Sequence, residues 1–208
     1  MIGILNYGSG NVTALKNSFQ KIGKESKLIS ANEDFSGVTK LILPGVGSIS
    51  SAMKKLNSSG LRNRLESSVQ KYHIPVLGIC VGLQMLFEQS EEGNTEGLSF
   101  IRGKVTRLST YLNKDVRLPH IGWNEIQIRR QNSLLKTSSS SVNSKFYFLH
   151  SFVVDPIDKD IITAETLYEG LFPVSVESEN IFGVQFHPEK SHEFGTNLLR
   201  SYANYTSN

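Results

Sequence analysis

Cysteine is almost missing from this chain: among 208 residues there is one, Cys80. A lone cysteine excludes an intramolecular disulfide, so stability must come from a buried core, and a reducing compartment such as the cytoplasm is the expected setting. Long apolar runs are missing as well. No stretch approaches the roughly 20 residues of a membrane span. The apolar start Met1-Ile2-Gly3-Ile4-Leu5 has neither the basic flank nor the length of a secretion signal. Strong charge of one sign is absent: 22 basic residues against 19 acidic leave a net +3, and Ile128-Arg129-Arg130 is too short a basic run for a nucleic-acid face. Metal-ligand spacing is lacking too, since His73, His120, His150, His187 and His192 stand in no such relation to the only cysteine.

What is present is an ordinary globular composition, 38% apolar and 20% charged. The length suits one domain, residues 1–208, burying about 70% of its unfolded surface. Short apolar runs alternate with helical patterns through the first half. Ile2-Leu5, Ser26-Ile29, Lys40-Leu43 (stopped by Pro44-Gly45) and Ile74-Ile79 read as strands. Val12, Leu15, Phe19 and Ile22 mark one helix, Leu61, Leu65, Val69 and Tyr72 another, and Leu83, Met85, Leu86 and Phe87 a third. This order implies an α/β fold: an open, mostly parallel sheet flanked by helices, of flavodoxin-like kind. In the second half Gly103-Leu108, Gly122-Ile128, Lys145-Leu149, Ile161-Leu167, Val174-Ser178 and Ile181-Gln185 are strand-like, and are expected to extend the same sheet with antiparallel strands. A last helix is expected from about Ser191 to Tyr205, and the serine-rich stretch 137–144 reads as a mobile surface loop.

Gly78-Ile79-Cys80-Val81-Gly82 stands where a buried strand ends and a helix begins. It has the form of a nucleophile elbow with cysteine in place of serine: a sharp turn pushes the side chain out of the sheet edge, and glycines on either side relieve the crowding. The same turn aims the Val81 N–H at the place where an oxyanion would form. By itself the pattern is also met by a buried, inert cysteine. His187-Pro188-Glu189 follows another strand-like run. In an extended segment these two side chains would share one side, the carboxylate fixing the imidazole while the imidazole faces Cys80, which is the nucleophile, base and orienter of a triad. Leu43-Pro44-Gly45-Val46-Gly47 ends a strand on the same sheet edge, where a glycine-bearing loop can supply a second oxyanion donor.

Taken together, Leu43-Pro44-Gly45-Val46-Gly47, Gly78 through Gln84, and Gln185-Phe186-His187-Pro188-Glu189-Lys190-Ser191 resemble the class I glutamine amidotransferases. Asn6-Tyr7-Gly8-Ser9-Gly10-Asn11, Pro119 through Asn124 and Phe146 through Phe152 narrow the resemblance to the glutaminase subunits of imidazole glycerol phosphate synthases. The resemblance implies that Cys80 attacks the glutamine amide carbon, that His187 carries the proton to departing ammonia, and that Glu189 orients His187. It implies oxyanion N–H groups from Val81 and the Val46-Gly47 peptide, and contact of Gln84, Ser151 and Phe152 with the substrate. One of Glu88, Glu91 or Glu92 is implied at the substrate's α-ammonium. No cofactor is implied. The partner implied is a (β/α)₈ cyclase, taking ammonia for imidazole glycerol phosphate synthesis in histidine biosynthesis, with the Pro119–Asn124 motif at the docking face.

Other readings stay open at this point. Asn6, Val81 and Phe152 stand where the family usually has aspartate, leucine and tyrosine, which leaves room for a paralogue that aminates a surface sugar. Gly8-Ser9-Gly10 after the first strand suggests a nucleotide-binding protein, but Thr13 stands where that pattern needs its third glycine. A catalytically silent scaffold is a further alternative, against which the presence of Cys80, His187 and Glu189 weighs.

Overall fold

A computed structural model describes residues 1–31, 33, 35–135 and 144–206. All but the last residue of the serine-rich stretch, expected as a surface loop, lies outside the described residues. The first half runs β1 (Ile2–Leu5), α1 (Val12–Lys21), β2 (Ser26–Ile29), β3 (Lys40–Gly45), α2 (Ile49–Ser58), α3 (Arg62–Glu66), β4 (Val76–Cys80) and α4 (Val81–Met85). Then follow β5 (Phe87–Ser90), β6 (Thr95–Glu96), β7 (Ile101–Arg107), α5 (Leu108–Leu112), β8 (His120–Ile128) and β9 (Lys145–His150). The chain closes with β10 (Phe152–Pro156), β11 (Ile162–Leu167), β12 (Leu171–Ser178), β13 (Ile181–Val184) and α6 (His192–Asn204).

Local chemistry explains the helices that flank the site. Asn11 caps α1 by accepting from the Ala14 N–H at 3.2 Å, and Leu15 and Phe19 turn inward one helical turn apart. The helix stops where Gly23 takes φ +69°. Ser48 caps α2 in the same way, at 3.3 Å from the Ser51 N–H, and Ile49, Ala52, Met53 and Leu56 form its buried stripe. In α6, Tyr202 is fully buried and its hydroxyl lies 2.7 Å from the Leu41 carbonyl and 2.8 Å from that of Pro75, fastening the C-terminal helix under β3 and β4.

The main sheet has nine strands in the order β2-β1-β3-β4-β13-β12-β11-β8-β9. The first five pair in parallel and the last four continue antiparallel. The α/β reading with antiparallel strands in the second half therefore holds, with local corrections. Ile181–Val184 does not join the antiparallel half alone: it lies parallel beside β4, Ile181 opposite Val76. Its central place accounts for its nearly unbroken burial. Pro44-Gly45 does not stop β3 but lies inside it, level with Ile79 and Cys80. Gly103-Leu108, expected in the main sheet, supplies β7 of a second sheet of four strands, β10-β7-β5-β6. Phe87, expected in a helix, opens β5 there. The helix yields because the Leu86 carbonyl is taken by the N–H groups of Phe100 and Ile101, at 2.9 and 3.0 Å, which pulls the chain into a ladder. Among the described residues no helix is long and apolar enough to cross a membrane.

The parallel half brings the C-terminal ends of β3, β4 and β13 to one edge, where sheets of this kind build their sites. At that edge the backbones nearly touch. A Cβ on Gly82 would lie 1.8 Å from the Leu43 carbonyl oxygen, whereas one on Gly60 would meet nothing within 4 Å. Gly82→Ala should therefore lower unfolding stability by at least about 3 kcal/mol, against about 1 kcal/mol for Gly60→Ala, where only a left-handed φ of +75° is at stake. Urea denaturation of the two variants side by side checks this, and equal midpoint shifts would contradict the packing.

Candidate active site

Cys80 is the last residue of β4 and adopts φ +56°, ψ −111°, a conformation that costs a non-glycine residue of order 1–3 kcal/mol. The surroundings force it. A Cβ on Gly78 would come within 2.7 Å of the Gly82 carbonyl oxygen, and one on Gly45 within 2.6 Å of the Gly82 nitrogen. Three glycines thus let β3, β4 and the start of α4 close to backbone contact, and the chain can leave β4 only by the strained turn. The turn delivers the thiol to a cavity wall. There the Gln185 amide nitrogen stands 3.7 Å from Sγ, and the thiol itself lies 3.9 Å from the Leu149 carbonyl.

His187 arrives from the end of β13. Its backbone N–H donates to the Tyr147 carbonyl at 2.9 Å, and its own carbonyl accepts from the Ser191 hydroxyl at 2.6 Å. Nδ1 lies 2.9 Å from Glu189 Oε1, with both side chains almost wholly buried. The expected contact is present, but its cause differs from simple extension: Pro188–Lys190 is a 3₁₀ turn, and that turn folds Glu189 back onto the imidazole. The second carboxylate oxygen has no hydrogen-bond partner among the described residues, which leaves His187 as the only counter-charge in contact. Burial alone would push the His187 imidazole below its ordinary range. Hydrogen bonds to Cys80 and Glu189, and the negative charge of both, outweigh burial and raise it to about 10. Imidazole and carboxylate are thus hydrogen-bonded to one another, and the imidazole lines the same cavity as the thiol.

That cavity, of about 340 Å³, is within the range of small-molecule sites. Val46, Gly47, Val81, Gln84, Ser151 and Phe152, all expected at the site, line it together with Cys80 and His187. The Val46-Gly47 turn is held by Ser9, whose hydroxyl lies 3.2 Å from both the N–H and the carbonyl of Val46. The Gly8-Ser9-Gly10 loop is accordingly packed on this turn and not open: a Cβ on Gly10 would strike Pro44 at 2.5 Å. Gln84 is buried, and its amide nitrogen reaches Gln185 Oε1 at 3.2 Å and the Phe152 carbonyl at 3.4 Å. Of the three acids left open by the sequence, Glu92 alone lines the cavity, fixed by the Ile49 N–H at 2.7 Å. Glu88 is engaged by the Gly103 N–H and Glu91 by the Arg107 N–H. Sequence reasoning missed Gln185, Arg107 and His150 as neighbours of the site. Gln185 could have been found, since it stands two residues before His187 in the segment that leaves β13.

Comparison with known proteins settles the family. A family model described as Glutamine amidotransferase class-I matches residues 3–203. The chain belongs to the class I glutamine amidotransferases. It is 42% identical over 204 residues to "Imidazole glycerol phosphate synthase subunit HisH" of Leptospira borgpetersenii, covering 98% of this chain and 99% of that one. A Methanococcus maripaludis protein, "Imidazole glycerol phosphate synthase subunit HisH 2", is 43% identical over 97% of this chain and 98% of its own. Among solved structures, PurLQS from Thermotoga maritima superposes with a TM-score of 0.74 at 15% identity, over 98% of this chain and 97% of that one. A crystal structure of a glutamine amidotransferase gives the same score at 19% identity, over 97% and 96%. These two likenesses speak to the fold alone.

For this class I amidotransferase the raised His187 value has a definite sign. A histidine whose folded value lies above its unfolded one contributes stability that is fully present below the unfolded value of ~6.5 and is lost as pH rises through about 10. Glu189→Gln removes a source of that rise, so it should destabilise the chain clearly near pH 6 and little above about pH 10. Urea midpoints across that window test this. A penalty that grows with pH would reverse the assignment.

Proposed function

We propose that this amidotransferase is the glutaminase subunit of an imidazole glycerol phosphate synthase, splitting L-glutamine to glutamate and ammonia for histidine biosynthesis. The observation that carries the reading is that Cys80 and His187 line one cavity, with Glu189 hydrogen-bonded to the imidazole, in a chain that matches a HisH protein over 98% of its length. In this mechanism the Cys80 sulfur adds to the side-chain amide carbon while the proton rests on His187, whose raised value keeps the imidazole charged at neutral pH. The oxyanion is met by the N–H of Val81 and that of the Val46-Gly47 peptide. Collapse expels ammonia, which takes the proton from His187, and leaves a γ-glutamyl thioester. Water, deprotonated by His187, then adds to the thioester carbon, and glutamate departs as the Cys80 sulfur is freed, the proton staying on His187. Glu189 keeps the imidazole oriented throughout. Glu92 is suited to the α-ammonium, and Gln84 and the backbone of Ser151 and Phe152 to the rest of the amino-acid end. Valine at 81 and phenylalanine at 152 leave this scheme intact, because each acts through its backbone.

Ammonia released into water at neutral pH would become ammonium, which is no nucleophile, so a receiving partner is part of the function. We assign that partner to the (β/α)₈ cyclase type and the docking face to β8. Trp123 is 47% exposed and stacks flat on His192 at 5.0 Å, with Ile121 (59% exposed), Val46 and Leu149 exposed as well. A half-exposed tryptophan fits an interface anchor better than a core residue. The pair would work in the cytoplasm, where the single thiol stays reduced.

An electrophilic glutamine analogue should add one equivalent to Cys80, with Cys80→Ala abolishing both labelling and ammonia release. His187→Ala should lose about 10²–10⁴-fold in turnover, measured with the cyclase present, and unchanged turnover would refute its role. Trp123→Ala should weaken cyclase binding by about 2 kcal/mol in titration calorimetry while leaving thermal stability nearly unchanged.

A further inference from the structure

At and behind the cavity wall lie two histidines that amide hydrolysis does not use. His120 on β8 and His150 on β9 face one another in the antiparallel register, both nearly completely buried. His120 Nδ1 and His150 Nε2 are 3.0 Å apart. The positions of their protons follow from the two ends of the row, because each end is a backbone group with one possible role. At the inner end the Phe152 carbonyl can only accept, so His150 Nδ1, 2.8 Å away, carries hydrogen. A neutral His150 then has a bare Nε2, and His120 Nδ1 donates to it. At the outer end the Glu125 N–H can only donate, and it does so to Asn124 Oδ1 at 2.8 Å. That leaves the Asn124 amide nitrogen to donate to the Leu167 carbonyl at 3.0 Å and to His120 Nε2 at 3.3 Å.

The row therefore runs one way, from Asn124 through His120 and His150 to Phe152, with every ring nitrogen paired. An extra proton on either ring would point at a donor. Rings also close over the pair, Phe148 and Tyr168 stacking on His120 at 4.7 and 4.2 Å. Burial pushes His120 down to about 4, and burial together with the neighbouring His120 pushes His150 down to about 3. Beyond Phe152 the row continues into the site. The same carbonyl accepts from Gln84 Nε2 at 3.4 Å, Gln84 donates to Gln185 Oε1 at 3.2 Å, and the Gln185 amide reaches Cys80 Sγ at 3.7 Å. His150, Gln84 and Phe152 all line the cavity.

We propose that His120 and His150 are positioning residues for glutamine: a neutral, one-directional relay that fixes the Phe152 carbonyl, and with it the part of the cavity wall that receives the substrate's amino-acid end. This assignment rests on the glutaminase reading. Its first test needs no variant. In the full chain carrying ¹⁵N-labelled histidine, with the unlabelled cyclase bound, both rings should be neutral Nδ1–H tautomers, unchanged across roughly pH 5–8, where an unperturbed histidine titrates. A charged ring, or an Nε2–H tautomer at either position, overturns the proposal. The second test follows Cys80 labelling by an electrophilic glutamine analogue, with iodoacetamide as a reagent that needs no amino-acid pocket. His150→Asn keeps a donor near the Nδ1 position and should hold the half-saturating analogue concentration within about twofold of the unsubstituted chain. His150→Leu should raise it about tenfold, the ordinary worth of a buried hydrogen bond lost with its partner stranded, with iodoacetamide labelling nearly unchanged. The same constant for both variants, or a parallel loss of iodoacetamide labelling in His150→Leu, overturns the proposal. An unsubstituted chain that takes iodoacetamide at Cys80 but never the analogue defeats the glutaminase reading, and this assignment with it.

Discussion

The close approach of three backbone segments around Gly45, Gly78 and Gly82 is the constraint on which the rest of this molecule depends. Side-chain packing alone would leave room for a relaxed turn after β4. Backbone packing does not, because a Cβ at any of the three positions would fall well inside contact distance of main-chain atoms. The chain is thus committed to a left-handed φ at a residue that has a side chain, and that residue is the only cysteine. Such strain is held by surrounding structure that over-determines it. Here the surrounding structure is the centre of the nine-stranded sheet, with β3 and β13 hydrogen-bonded on either side of β4.

Around that fixed thiol the second half of the chain supplies what the first half lacks. The ends of β3 and β4 carry Val46, Gly47 and Cys80, while the imidazole, the carboxylate and the far cavity wall come from β13 onward and from the β9–β10 corner. Beside the apolar core that spans both halves, polar contacts join them at the site. Gln84 and Gln185, one from each half, share a hydrogen bond beneath the thiol. On the outer side, Trp123 is level with Tyr147 across the β8–β9 pair, and the Tyr147 carbonyl holds the backbone of His187. A surface group and the imidazole are therefore separated by one residue of one strand. A partner seated on Trp123 would press on the strand that sets where the imidazole sits.

Much of this was legible in the residues. The strand-end motifs placed Cys80, Val46 and His187 on one sheet edge, because a parallel α/β order puts strand C-termini together and short glycine-bearing motifs mark those ends. What stayed hidden came from pairings distant in sequence. Phe87-Glu88-Gln89-Ser90 is buried only at its two ends, so it shows neither a strand's alternation nor a helix's stripe, and only the ladders to β6 and β7 make it a strand. The contact between His187 and Glu189 was foreseen for the wrong reason, since an X-Pro step followed by a 3₁₀ turn gives the same meeting as an extended chain. His120 and His150 are thirty residues apart and meet through strand register alone. Choosing Glu92 from among three acids likewise needed β5 and the turn after it, which place one carboxylate at α2 and the other two at backbone amides of β7.

The segment that carries the imidazole has a second consequence. β9 is the last strand of the nine, and an uncovered terminal strand offers its amides and carbonyls to any passing chain. At Tyr147 both groups are already taken: the N–H donates to the Ser191 hydroxyl at 3.0 Å, and the carbonyl accepts from His187. The stretch from His187 to Ser191 thus acts as a selvedge, closing the open side of the fabric at the place where the chemistry is sited. Loosening it would unmake the imidazole's seat and bare a sticky border in the same movement, so damage to this short stretch would surface as self-association as well as lost turnover.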